Sequence, residues 1–163
     1  MDRRKPCSAE RRSLVFLVKH VSLNRISDAK EGTVQQTSAA PKAQTVIGII
    51  DDDADVRSAV AALVASIGLK SEMFETADAL MASGRLSCLD CVVTDLQMPG
   101  MNGLALARHI QCTRPLPVIL ITAFPAPGLD DQAATAGVRC LLRKPFDALA
   151  LIDALESIAR GRS

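Results

Sequence analysis

Five short runs, at residues 46–50, 69–74, 91–94, 118–122 and 138–142, read as strands, and between them apolar residues recur every three or four positions. That alternation is the pattern of repeated βα units, whose strands lie parallel because each connection holds a helix. Val56, Val60, Leu63, Val64 and Ile67 space the first helix over 55–66, and Gly68 stops it. Thr76 caps a second helix that ends at Gly84. Leu104, Leu106, Ala107 and Ile110 mark a third, and Pro115 and Pro117 end it before the fourth strand. Pro125, Pro127 and Gly128 delay the fourth helix to about Asp130, while Asp147 caps the last, with Leu151, Ile152, Leu155 and Ile158 on its apolar face.

The expected fold is α/β: a doubly wound, five-stranded parallel sheet, flavodoxin-like in strand order 2-1-3-4-5 and flanked by five helices. Such sheets bind ligands beyond the carboxyl ends of their strands. There the chain places Asp51-Asp52-Asp53 after the first run, Asp95 after the third and Lys144-Pro145 after the fifth. Carboxylates and a lysine converging on one sheet edge make a site for a cation and a phosphate.

All of this lies after residue 45. The chain is 163 residues long, and residues 1–45 hold nine Lys/Arg against four Asp/Glu, a net charge of +5. Residues 46–163 hold ten against fourteen, a net −4, so two regions of different character meet near 40–45. The first reads as a basic, disordered extension with a Ser/Thr/Gln/Ala-rich linker at 33–45; its run Leu14-Val15-Phe16-Leu17-Val18 is too short to span a bilayer. The second reads as one domain of 46–163.

Aromatic residues make up 2% of the chain, which disfavours a base-stacking surface for nucleic acid. Five cysteines, an odd number without a clear export signal, point to a reducing cytoplasm. Cys88-Leu89-Asp90-Cys91 is an isolated C-x-x-C whose second cysteine opens a buried strand, so packing is expected rather than redox or zinc chemistry.

Four segments, in order at the ends of strands one, three, four and five, carry a resemblance. They are Ile49-Ile50-Asp51-Asp52-Asp53-Ala54-Asp55-Val56-Arg57, Val93-Thr94-Asp95-Leu96-Gln97-Met98-Pro99-Gly100-Met101-Asn102-Gly103, Leu120-Ile121-Thr122-Ala123 and Leu142-Arg143-Lys144-Pro145-Phe146. Together they resemble the receiver domain of two-component response regulators, and more closely receivers of the nitrogen-fixation regulator type. The resemblance covers roughly 46–161. It implies that Asp95 accepts a phosphoryl group from a sensor histidine kinase or a histidine phosphotransfer protein. It also implies Mg²⁺ held by Asp52 and Asp95, with the Gln97 main-chain carbonyl and with Asp51 directly or through water. Lys144 then supplies a point charge, and Thr122 a hydroxyl donor, to the phosphoryl group. A cis Lys144–Pro145 bond is expected on the same ground.

The chemistry is consistent with this. A carboxylate is a weak nucleophile and the donor is anionic, so positioning and charge neutralisation must lower the barrier. Mg²⁺ accepts a few oxygen ligands and keeps its remaining waters.

Two positions depart from the family pattern. Leu141 stands where many receivers carry a switching aromatic, so a differently built switch is expected. Phe124, two residues after Thr122, is bulky and apolar beside the line of hydrolytic attack, so slow self-dephosphorylation is expected. Only four residues follow 159, too few for a helix-turn-helix, so the chain reads as a stand-alone switch without direct DNA binding. Its output would pass to an unidentified protein or come from the basic tail, with dimerisation on phosphorylation left open. The competing functions are an aspartyl-nucleophile phosphohydrolase, disfavoured because residue 97 is Gln rather than an acid, and an interaction module of the same fold that is not phosphorylated.

Overall fold

The computed structural model describes residues 44–161; all but the last two residues of the expected extension, 1–45, lie outside that range. Five strands, β1 Val46–Ile50, β2 Lys70–Phe74, β3 Cys91–Asp95, β4 Val118–Thr122 and β5 Val138–Arg143, form a single parallel sheet. The order is β2-β1-β3-β4-β5, as expected. The helices are α1 Ala54–Ser66, α2 Ala77–Ser83, α3 Gly103–Thr113, α4 Leu129–Thr135 and α5 Ala148–Arg160. None of the described helices is long and apolar enough to cross a membrane.

Strand periodicity sorts the core into two layers. Ile47 and Ile49 of β1, Cys91 and Val93 of β3, and Ile119 and Ile121 of β4 face one way, onto Val56, Val60, Leu63 and Val64 of α1 and Leu151, Ile152 and Leu155 of α5. Ile50, Val92, Val118 and Leu120 face the other way, onto Leu80 of α2, Leu106 and Ile110 of α3, and Leu129 and Ala133 of α4. All five residues of β3 and of β4 are buried, as central strands covered on both faces must be. Burying one such Leu or Ile stabilises the fold by about 1.5–3 kcal/mol, so these layers hold the strand ends in place.

The helix starts follow the expected capping chemistry. Asp53 accepts from the N–H groups of Asp55 and Val56, Thr76 from Ala79, Asn102 from Ala105 and Asp147 from Leu149. The short helix α4 begins at Leu129 without a side-chain cap. One element was not anticipated, a 3₁₀ turn at Arg85–Cys88. It follows Gly84 in the left-handed conformation, and it delivers Leu89, fully buried, against the open face of Gly48 in β1. The glycine in the middle of the first apolar run is therefore the space that Leu89 occupies. Cys91 is fully buried and burial pushes its thiol up to about 12, so it packs as a small hydrophobe.

The strand order reverses between β1 and β3, and this crevice receives the acids that follow both strands. The start of α3 closes against it. A Cβ on Gly103 would run into the main-chain carbonyl of Asp95 and lie 2.7 Å from Leu120 Cδ1. Backbone cannot yield as a flexible side chain does, so Gly103→Ala should destabilise the domain by about 1–3 kcal/mol despite alanine's better helix propensity. Urea unfolding of both proteins tests this, and equal stability would contradict the close approach.

Candidate functional site

Three of the expected residues meet above the carboxyl end of the sheet. Asp95 is the last residue of β3, Asp51 follows β1 and Lys144 follows β5. Lys144 Nζ lies 2.7 Å from Asp95 Oδ1 and 3.2 Å from Asp51 Oδ2. Both carboxylates are buried, at 4% exposure for Asp51 and 7% for Asp95, so the pairing is screened little by water.

Main-chain bonds fix these groups. The Lys144 N–H donates to the Thr122 carbonyl at 2.7 Å, tying the end of β5 to that of β4, and the Lys144–Pro145 bond is cis as expected. Asp95 Oδ2 accepts the Gln97 N–H at 2.6 Å. Asp51 Oδ1 accepts the Asp53 N–H at 2.9 Å.

The remaining residues stand around this trio. Thr122 is fully buried, and its Oγ1 accepts the Phe124 N–H at 3.1 Å. Among the described residues its hydroxyl has no bond to Asp51, Asp95 or Lys144, so it flanks the trio without joining it. Asp52 is exposed, in the loop between Asp51 and the α1 cap. Leu141 is partly buried and packs against the layer that contains Leu120 and Leu129. Phe124 keeps 44% of its surface exposed, much for an apolar ring.

Burial pushes the Asp51 carboxyl above its ordinary value, against the pull of Lys144 and the Asp53 N–H. Burial works on Lys144 in the opposite sense, but Asp51 and Asp95 outweigh it and hold the ammonium above its ordinary value. The site is a pair of desolvated acids sharing one fixed cation.

The donor set fits a hard divalent ion such as Mg²⁺. All its candidate ligands are oxygens, and among the described residues nothing donates to the Gln97 carbonyl. No three acidic, His or Cys side chains among the described residues converge tightly enough to grip an ion alone. An ion that retains several waters needs no such cage.

Comparison with known proteins agrees with this geometry. Residues 47–156 match the response regulator receiver domain, and the chain belongs to that family. Receiver domains are signalling modules of two-component systems. The chain is 35% identical over 118 residues to the transcriptional regulatory protein FixJ of Azorhizobium caulinodans, which covers 72% of the chain and 56% of FixJ. It is 34% identical over 112 residues to the DNA-binding transcriptional regulator NtrC of Salmonella typhimurium, covering 66% of the chain and 24% of NtrC. The chain therefore spans about half or less of these two relatives. A response regulator receiver protein from Pseudomonas putida shares the fold with a TM-score of 0.65 at 23% identity, covering 70% of the chain and 97% of that structure.

The pKa directions set the sign of a stability test. A lysine whose value is raised by folding contributes stability that is full below its ordinary value of 10.5 and is lost as pH rises through the folded value. The raised Asp51 likewise favours the fold when protonated, and weighs against it once ionised. Lys144→Met leaves two buried carboxylates facing each other. At neutral pH without divalent cations it should cost about 3 kcal/mol. That loss should shrink as pH falls through the carboxylate range, and a pH-independent loss in urea unfolding would show that packing, not charge, is responsible.

Proposed function

We propose that the protein is a phosphorylation-dependent switch that accepts a phosphoryl group on Asp95 from the phosphohistidine of a sensor histidine kinase or a histidine phosphotransfer protein. The observation that carries this reading is the Lys144 ammonium held against the Asp95 carboxylate at the sheet's switch point. An Asp95 carboxylate oxygen attacks phosphorus, the O–P bond forms, and the histidine N–P bond breaks with the imidazole leaving. Lys144 moves from carboxylate to phosphoryl oxygen, keeping a buried positive charge where negative charge accumulates.

Asp52, Asp95, the Gln97 carbonyl and Asp51 would hold Mg²⁺, which when bound neutralises charge on the phosphoryl oxygens. Thr122 has its hydroxyl proton free to donate once it turns toward the phosphoryl group. That turn gives up its bond to the Phe124 N–H and loosens the loop before α4. Leu141, in place of an aromatic, fills the space Thr122 leaves, and this is the device that shifts the population of the outer face. Output passes to a protein partner in the cytoplasm, with dimerisation as one form it can take, and residues 1–45 act as an appendage to the receiver at 46–163.

A phosphohydrolase with an aspartyl nucleophile is the weaker reading. It needs an acid two residues beyond the nucleophile, and that position is Gln97, whose N–H binds Asp95.

Incubation with acetyl phosphate and Mg²⁺ should add the mass of one phosphoryl group to the intact protein, and Asp95→Asn should abolish the gain. No gain in the wild type would overturn the reading; steady turnover of a phosphomonoester would favour the hydrolase. The exposed Phe124 ring shields the acyl phosphate in this account, so Phe124→Glu should speed its decay by roughly a hundredfold, the low end of what a positioned acid–base group contributes. An unchanged decay rate would remove the shielding role.

A further inference from the structure

Arg57 takes no part in the chemistry above, yet it reaches the acidic loop. It is the fourth residue of α1 and half-buried, and its Nη1 donates to the main-chain carbonyl of Asp51 at 2.5 Å. That carbonyl belongs to the peptide that joins Asp51 to Asp52. The next peptide, joining Asp52 to Asp53, is held at its N–H by Asp51 Oδ1 at 2.9 Å. Asp52 thus hangs between two clamped peptides, while its own side chain is exposed.

The two clamps differ in kind. The second uses the Asp51 carboxylate, which also faces Lys144 and is assigned to the cation, so it loosens whenever that carboxylate is drawn elsewhere. The first uses a guanidinium anchored in α1 and a main-chain oxygen that no proposed ligand contact needs. Here the planar, always-charged guanidinium gives a fixed direction, which a lysine ammonium on a flexible stem reproduces only in part.

We propose that Arg57 is a positioning residue of the cation site: by fixing the Asp51–Asp52 peptide it aims the Asp52 carboxylate at the ion. This rests on the assignment of Asp52 to Mg²⁺ made above. Electrostatics alone predicts the reverse effect, because a guanidinium near the site repels a divalent ion and its removal should tighten binding. The sign of the change separates the two accounts.

The test is thermal unfolding followed by circular dichroism across a MgCl₂ series. The Mg²⁺ dependence of Tm gives an affinity even where a variant's metal-free stability has moved. Arg57→Met should weaken Mg²⁺ binding roughly tenfold, the scale expected when an outer partner of a ligand is lost. Arg57→Lys should restore part of it, and it carries the test should Arg57→Met fail to fold. Asp52→Asn should have much less effect on Mg²⁺ affinity in the Arg57→Met background than in the wild type, because the two residues act as one unit. Unchanged or tighter Mg²⁺ binding in the Arg57 variants, or additive effects in the double variant, would overturn the proposal. A wild-type melt insensitive to MgCl₂ would instead remove the cation assignment, and Arg57's role with it.

Discussion

The ammonium of Lys144, 2.7 Å from Asp95 and 3.2 Å from Asp51, is the interaction around which the rest of the domain is arranged. Two carboxylates buried side by side are costly unless a cation compensates them. Supplying one from the fifth strand requires the ends of β1, β3 and β5 to reach the same height on one edge. Parallel pairing across β1, β3, β4 and β5 does this, and the bond from the Lys144 N–H to the Thr122 carbonyl sets the last step. The two apolar layers supply the burial that keeps this edge fixed.

The same geometry gives the site its reactivity. With Lys144 in place the two acids share one cation in a poorly hydrated site, and burial leaves the Asp51 carboxyl above its ordinary value. In the proposed reaction, a phosphoryl group arriving on Asp95 would take over an ammonium that is already desolvated. Thr122 waits nearby with its oxygen engaged by the Phe124 N–H. In the proposed mechanism, chemistry at Asp95 and movement of the loop before α4 would share that one hydroxyl.

Much of this was legible in the sequence because it rests on periodicity and on strand ends. The runs that form β1, β3, β4 and β5 are apolar and closed by turn or cap residues, and that pattern alone puts Asp51, Asp95, Thr122 and Lys144 on one edge. Other features rest on contacts between distant residues. The space beside Gly48 is filled by Leu89 from a distant segment, and the 3₁₀ turn that brings Leu89 there has no periodic signal. Nothing in the spacing of Arg57 marks its contact; only the backbone path of the Asp51–Asp52–Asp53 loop brings a carbonyl to its guanidinium. The bond from Thr122 to Phe124 was likewise hidden, since a threonine at a strand end does not announce its acceptor.

The most direct measurement of the central claim locates the modified atom. Protein treated with acetyl phosphate and Mg²⁺, then reduced with borohydride, converts an aspartyl phosphate to homoserine, which peptide mass spectrometry can place. The account predicts homoserine at position 95 in the wild type and a marked loss of it in a folded Lys144→Met variant. Homoserine at Asp51 or Asp52 instead, or equal yield at position 95 without Lys144, would contradict it.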